Sequence, residues 1–145
     1  ASSPPQMIVI AGSNKRLFDW LERRKHSLRA KTVVYGFTSE VAELMSVSTL
    51  IVTKPGGLTI SEALSKRLPI IILNPIPGQE AKNTEYLLSE GAAVKADNAA
   101  DAALLTDMLL GNRSKLEQMR VNAQRIAKPR SSVDIARLIL ECTRS

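Results

Sequence analysis

Leu50-Ile51-Val52-Thr53-Lys54-Pro55-Gly56-Gly57-Leu58-Thr59-Ile60-Ser61-Glu62-Ala63 is the stretch whose reading decides the fold class. A short β-branched run breaks on a proline and two glycines, then resumes with helical spacing. That is the pattern of a buried strand turning tightly into a helix. Glycines let the backbone approach a bulky anion, and the free N–H groups at a helix start favour a phosphate. A pyrophosphate there would gain several charge-assisted hydrogen bonds. The stretch lacks the Gly-Lys-Ser/Thr ending of a P-loop and lacks the dinucleotide fingerprint. A second reading stays open, because Thr59-x-x-Glu62 has the spacing of a capping box, worth about 1 kcal/mol without any ligand. One turn into the helix, the Glu62 carboxylate could instead accept hydrogen bonds from two ribose hydroxyls. The same oxygens cannot fully serve both roles.

Working outward, the same alternation recurs. Met7–Ala11, Thr32–Tyr35 and Pro69–Leu73 are further short runs rich in Val and Ile, with a weaker fifth at Ala92–Lys95. They are continuously apolar, as expected of parallel strands covered on both faces by helices. Helical periodicity fills the gaps at residues 15–29, 39–47, 58–67 and 80–90. The tail reads as wholly helical, over 99–110, 112–127 and 132–143, punctuated by Gly111 and Pro129. The prediction is an α/β fold: a doubly wound, mostly parallel Rossmann-like sheet with right-handed crossovers and a helical C-terminal tail. Ligands of such sheets bind outside the carboxyl ends of the strands, so the turns after each strand are the places to look.

Two more of those turns are informative. In Asn74-Pro75-Ile76-Pro77-Gly78-Gln79-Glu80-Ala81-Lys82-Asn83 two prolines stiffen a loop that Gly78 relieves just before a helix. Gln79 and Asn83 share a helix face, flanked by Glu80, and such amides and carboxylates suit a polyhydroxylated sugar. Polar residues also favour helix starts without any ligand. In Tyr35-Gly36-Phe37-Thr38-Ser39-Glu40-Val41, Phe37 could pack on a planar base, although an aromatic in a turn is more often buried. Asn14-Lys15, after the first strand, offers further polar contacts.

Composition narrows the function classes. The 145 residues are 44% hydrophobic and 23% charged, enough for one packed domain. Five aromatics make the core aliphatic and are too few for a nucleic-acid stacking platform. The single Cys142 rules out an internal disulfide and a cysteine-rich zinc site, and fits the cytoplasm. His26 sits in the polar run Glu22-Arg23-Arg24-Lys25-His26 and reads as a solvated histidine, not a catalytic base. No apolar run approaches the roughly 20 residues that span a bilayer. Residues 1–6, opening Ala1-Ser2-Ser3-Pro4-Pro5, read as a linker. Net charge is +6 but uneven: seven Lys/Arg against two acids over 1–31, five against nine over 32–112, and eight against three over 113–145. Basic ends suit solvated helix faces or an anionic membrane surface. No nucleic-acid recognition motif is present.

Gly36-Phe37, Glu43-Leu44-Met45, Thr53-Lys54-Pro55-Gly56-Gly57-Leu58-Thr59-Ile60-Ser61-Glu62-Ala63, and Pro75-Ile76-Pro77-Gly78-Gln79-Glu80 with Asn83 together resemble one family over nearly the whole chain. That family is the diacylglycerol glycosyltransferases of bacteria and plastids, including monogalactosyldiacylglycerol synthase. It is related to the peptidoglycan N-acetylglucosaminyltransferase. The resemblance implies the C-terminal, donor-binding half of a glycosyltransferase B fold, over residues 7–145. By that resemblance Phe37 and Thr38 would hold uracil, and Gly56, Gly57, Leu58 and Thr59 would line the diphosphate. Glu62 would take the ribose, while Gln79 and Glu80, supported by Asn83, would read the hexose. It also implies a metal-independent reaction with no cofactor, a helix N-terminus stabilising the departing UDP. The partners implied are UDP-hexose and an N-terminal acceptor domain carrying the catalytic base, which leaves no catalytic residue in this chain. The setting implied is the cytoplasmic face of a membrane, or a plastid membrane. The family's domain usually opens with one further strand and a glycine-rich turn, expected mid-sheet, and Met7–Ala11 matches its second strand. The rival readings are an N-acetylglucosaminyltransferase donor domain, a non-catalytic UDP-sugar-binding subunit, and a phosphate-binding module for another ligand.

Overall fold

The computed structural model describes residues 4–144. Residues 1–3 of the expected linker lie outside them, and Pro4 and Pro5 lead directly into the first strand. The chain forms two compact units, Ala1–Leu44 and Met45–Ser145.

In the first unit β1 (Gln6–Ile10) pairs in parallel with β2 (Lys31–Tyr35), Ile8 opposite Val33. Between them runs α1 (Lys15–Arg24), followed by a 3-10 turn at Lys25–Ser27. The 15–29 segment read as one helix therefore ends earlier, in the basic run Arg23–His26. Asn14 starts α1, its Oδ1 accepting from the Leu17 N–H at 3.0 Å. It thereby satisfies a backbone donor that the helix cannot. β2 alternates, with Thr32 and Val34 buried and Val33 exposed. β1 departs from the expectation of a covered strand: Met7, Ile8 and Ile10 are all exposed. Its continuous apolar pattern is that of a central strand, yet β2 is its one ladder partner among the described residues. A short helix, α2 (Val41–Ser46), carries the chain into the second unit.

The second unit holds a parallel three-stranded sheet in the order β3 (Ile51–Thr53), β4 (Ile70–Leu73), β5 (Ala93–Ala96). The described residues thus carry two parallel sheets where the sequence suggests one. α3 (Gly57–Ser65) and α4 (Gln79–Ser89) connect the three strands, and α5 (Ala99–Leu110), α6 (Arg113–Ile126) and α7 (Ser131–Thr143) form the expected tail. β4 is central, and Ile70, Ile71 and Ile72 are wholly buried, as a strand covered on both faces must be. Ile71 packs with Ala96, Ala102, Leu109, Leu116 and Met119, so α5 and α6 close one face of the sheet. Asn98 and Asn112 cap these helices through 2.9 Å bonds from the N–H groups of Asp101 and Lys115. α3 ends in a left-handed turn: Arg67 has φ +58°, and the Leu68 N–H reaches back to the Ala63 carbonyl at 2.9 Å. α7 buries none of its residues, and Val133, Ile135, Leu138, Ile139 and Leu140 are all exposed.

Candidate functional site

The turn from β3 into α3 bears directly on the capping reading of Thr59 and Glu62. α3 begins at Gly57, with Gly56 as its capping residue, and no side chain caps it. Thr59 is therefore already the third helical residue and cannot open a capping box with Glu62. The helix starts earlier than that spacing predicts because Pro55 is wholly buried and anchors the loop, so the two glycines complete the turn. The first intrahelical bond runs from the Ile60 N–H to the Gly56 carbonyl at 3.0 Å. The N–H groups of Gly57, Leu58 and Thr59 precede it, the orphan donors that give a helix start its positive character. A Cβ added to Gly56 or Gly57 would meet nothing within 4 Å, so the space beside the two glycines is open.

α3 buries Ile60, Ala63 and Leu64, which turns Leu58 and Glu62, four residues apart, outward together. Leu58 is 86% exposed, and the Glu62 carboxylate has no hydrogen bond or ion pair among the described residues. The arrangement is a row of free donors with an uncommitted carboxylate one turn beyond. Beside it, a groove of about 260 Å³ begins at Gly57 and runs between α3 and α4, past Ser61, Asn83 and Tyr86.

The β4–α4 loop is held to this turn. Asn74 (φ +49°) and Gly78 (φ +99°, ψ −123°) bracket it. Asparagine tolerates the first of these conformations, and glycine alone takes the second without strain. Gln79, Glu80 and Asn83 all lie in the first turns of α4, as the sequence predicts. Asn83 Nδ2 donates to the Pro55 carbonyl at 2.9 Å, and its Oδ1 accepts from Gln79 Nε2 at 3.1 Å. The glycine turn and the start of α4 are thereby one hydrogen-bonded assembly. Glu80 has a backbone task as well, its Oε2 accepting from the Ile76 N–H at 2.7 Å across the proline loop.

In the first unit, Phe37 is 87% exposed, against the expectation that an aromatic in a turn is buried. Its ring is free to stack. The Thr38 hydroxyl accepts from the Glu40 N–H at 3.1 Å, which shapes the same turn. Asn14 is committed to its helix cap, and Lys15 pairs with Asp19 at 3.4 Å. His26 is exposed in the 3-10 turn. Sequence reasoning missed the Pro55 carbonyl and the Ile76 amide as the groups that hold the loops, since neither has a side-chain signature.

Comparison with known proteins follows the same line. The profile of a family described as glycosyl transferases group 1 matches residues 1–126. A processive diacylglycerol β-glucosyltransferase of Staphylococcus carnosus is 39% identical over 123 residues, 85% of this chain and 31% of that protein. Its counterpart in Bacillus cytotoxicus is 35% identical over 136 residues, 94% of this chain and 35% of the relative. The chain spans about a third of the length of these relatives. Among solved structures, MurG of Acinetobacter baumannii matches with a TM-score of 0.71 at 20% identity, over 97% of this chain and 51% of that one. The Streptomyces glycosyltransferase SsfS6, complexed with thymidine diphosphate, matches with a TM-score of 0.57 at 16% identity, over 97% and 42%. These likenesses carry the fold, which this chain shares with about half the length of each of those structures. By the family profile, which spans most of its length, the chain belongs to the glycosyl transferases group 1 family.

Proposed function

We propose that this chain is the UDP-hexose-binding domain of a glycosyltransferase that moves a hexose to a lipid hydroxyl such as that of diacylglycerol. The observation that carries the reading is the start of α3. Its unpaired N–H groups stand next to open space beside Gly56 and Gly57, one turn before a carboxylate with no partner. The diphosphate would lie on Gly57, Leu58 and Thr59, and Glu62 would accept from the ribose hydroxyls. As the sugar–phosphate bond breaks, negative charge grows on the departing UDP, where the helix dipole and oriented N–H groups stabilise it most. That electrostatic role needs no metal ion. Phe37 would stack on uracil, with Thr38 holding its turn. Gln79 and Glu80 would meet the hexose hydroxyls.

Asn83 holds Gln79 and the Pro55 carbonyl together and acts as a positioning residue. The acceptor and the catalytic base would be met by a second domain, with the enzyme working at the cytoplasmic or plastid membrane surface. The diacylglycerol reading is preferred to N-acetylglucosamine transfer because relatives at 35–39% identity carry that description. MurG, at 20% identity, shares the fold alone.

The test is calorimetric titration with UDP, UDP-glucose, UDP-galactose and ADP, on wild type and Glu62→Ala. The reading expects uridine ligands to bind in preference to ADP. It expects Glu62→Ala to weaken them about tenfold or more, the loss of charged hydrogen bonds worth roughly 1.5–3 kcal/mol. Equal binding of ADP, or an unchanged UDP affinity in Glu62→Ala with intact folding, would refute it.

A further inference from the structure

The outer face of α1 takes no part in the site described above. Trp20 is 46% exposed there, and the residues three and four positions away on either side are Arg16, Leu17, Arg23 and Arg24, all exposed. On a helix those positions ring a residue, so one indole and one leucine sit inside a frame of three guanidinium groups. The helix is held by its other face, where Phe18 and Leu21 are partly covered. Both acids of α1 are already engaged, Asp19 with Lys15 at 3.4 Å and Glu22 with Lys25 at 2.9 Å. Arg16 and Arg23 have no carboxylate partner among the described residues, and Arg24 stacks over the Trp20 ring at 4.8 Å. The frame therefore keeps its full positive charge, which Arg29 and Lys31, both exposed just beyond the helix, extend.

We propose that this face of α1 docks the domain on an anionic membrane surface, Trp20 and Leu17 entering the headgroup layer while Arg16, Arg23 and Arg24 bind lipid phosphates. Trp is favoured at the depth where headgroups meet acyl chains, and its ring suits both. Arginine forks match phosphate oxygens in pairs. A cationic frame around an apolar centre is the pattern of a helix lying in an anionic interface. Nucleic acid would use the arginines but gains nothing from an exposed Leu17 and finds a single stacking ring. The proposal rests on the lipid-acceptor reading above, which places the enzyme at a membrane.

Trp20 is the one tryptophan of the chain, so its emission reports on this face alone. The experiment is Trp20 fluorescence and vesicle co-sedimentation. The vesicles are phosphatidylcholine alone, and equal parts phosphatidylcholine and phosphatidylglycerol. The proposal predicts a blue shift and shielding from aqueous quencher with the anionic vesicles only, reversed by salt. Arg16→Ala with Arg23→Ala should lower partitioning about thirtyfold, roughly fivefold per cation. Arg113→Ala with Lys115→Ala, on α6, should leave it nearly unchanged. Trp20→Ala, read by co-sedimentation, should weaken binding while far-UV circular dichroism stays the same. Unmoved emission, equal binding to neutral vesicles, or equal losses in the two double variants would overturn the proposal. So would a stronger response of Trp20 to duplex DNA or an acidic protein than to the vesicles. UDP titration of the same preparation separates the failures: a protein that binds UDP and ignores vesicles sinks this inference and leaves the donor reading standing.

Discussion

Asn83 gives a prediction whose size can be worked from the structure. Its Nδ2 donates to the Pro55 carbonyl at 2.9 Å and its Oδ1 accepts from Gln79 at 3.1 Å. Asn83→Ala removes both. The first loss strands an acceptor on a buried proline, which costs about 1–3 kcal/mol when complete. The contact is partly buried, so water recovers some of it and the lower half of that range applies. The second lies on the exposed helix surface and contributes about 0.3 kcal/mol. Against these, Ala is the better helix former by about 0.5 kcal/mol. The net is a loss of about 1 kcal/mol, a fall in melting temperature of roughly 3 °C for a chain of this size. UDP affinity should fall as well, because the glycine turn loses its tether to α4. Asn83→Asp keeps the shape but sets an acceptor against the Pro55 carbonyl, so it should be at least as damaging as alanine. Thermal unfolding followed by far-UV circular dichroism, with calorimetry for UDP, checks both variants. An Asn83→Asp protein as stable and as tight for UDP as wild type would refute the reasoning.

Gly57→Ala tests the open space over the helix start. With nothing within 4 Å of the new methyl and no positive φ at Gly57, stability should hold or rise by about 0.5 kcal/mol. UDP affinity, measured by calorimetry, should nevertheless fall, since the methyl enters the space assigned to the diphosphate. At Arg67 (φ +58°) a β-branched side chain fits poorly, so Arg67→Val should lose about 1 kcal/mol and Arg67→Gly gain about 0.5 kcal/mol in urea unfolding. Glu80→Ala should cost about 1 kcal/mol through the lost Ile76 N–H bond, whereas Glu80→Gln keeps the acceptor and the stability. If Glu80 also reads the hexose, Glu80→Gln should weaken UDP-hexose while leaving UDP unchanged, which parallel titrations resolve.

How much was legible in the sequence depends on whether a feature is local. Ile70–Leu73 was plain because four apolar residues stand between Pro69 and Asn74, and a covered strand leaves that mark. Gln79–Asn83 at a helix start was legible for the same reason. Thr59-x-x-Glu62 left two readings open, because spacing alone cannot say which residue caps a helix when a buried proline upstream fixes the start. The bond from Asn83 to Pro55 joins residues 28 apart, and no local pattern carries it. Nor could composition show that Phe37 faces solvent, since exposure depends on what packs around the turn. β1 read as covered on both faces because its residues suit a central strand, although Met7, Ile8 and Ile10 are exposed. Asn14, Asn98 and Asn112 all cap helices, and an asparagine just before a helical segment is a local signal.

The central claim is that the start of α3 binds the diphosphate, and the most direct measurement is the amide spectrum of ¹⁵N-labelled protein during a UDP titration. The account predicts that the N–H signals of Gly57, Leu58 and Thr59 move most and saturate together. Uridine without its phosphates should leave them in place. If UDP binds while those three amides stay unmoved, the diphosphate lies elsewhere and the account is wrong.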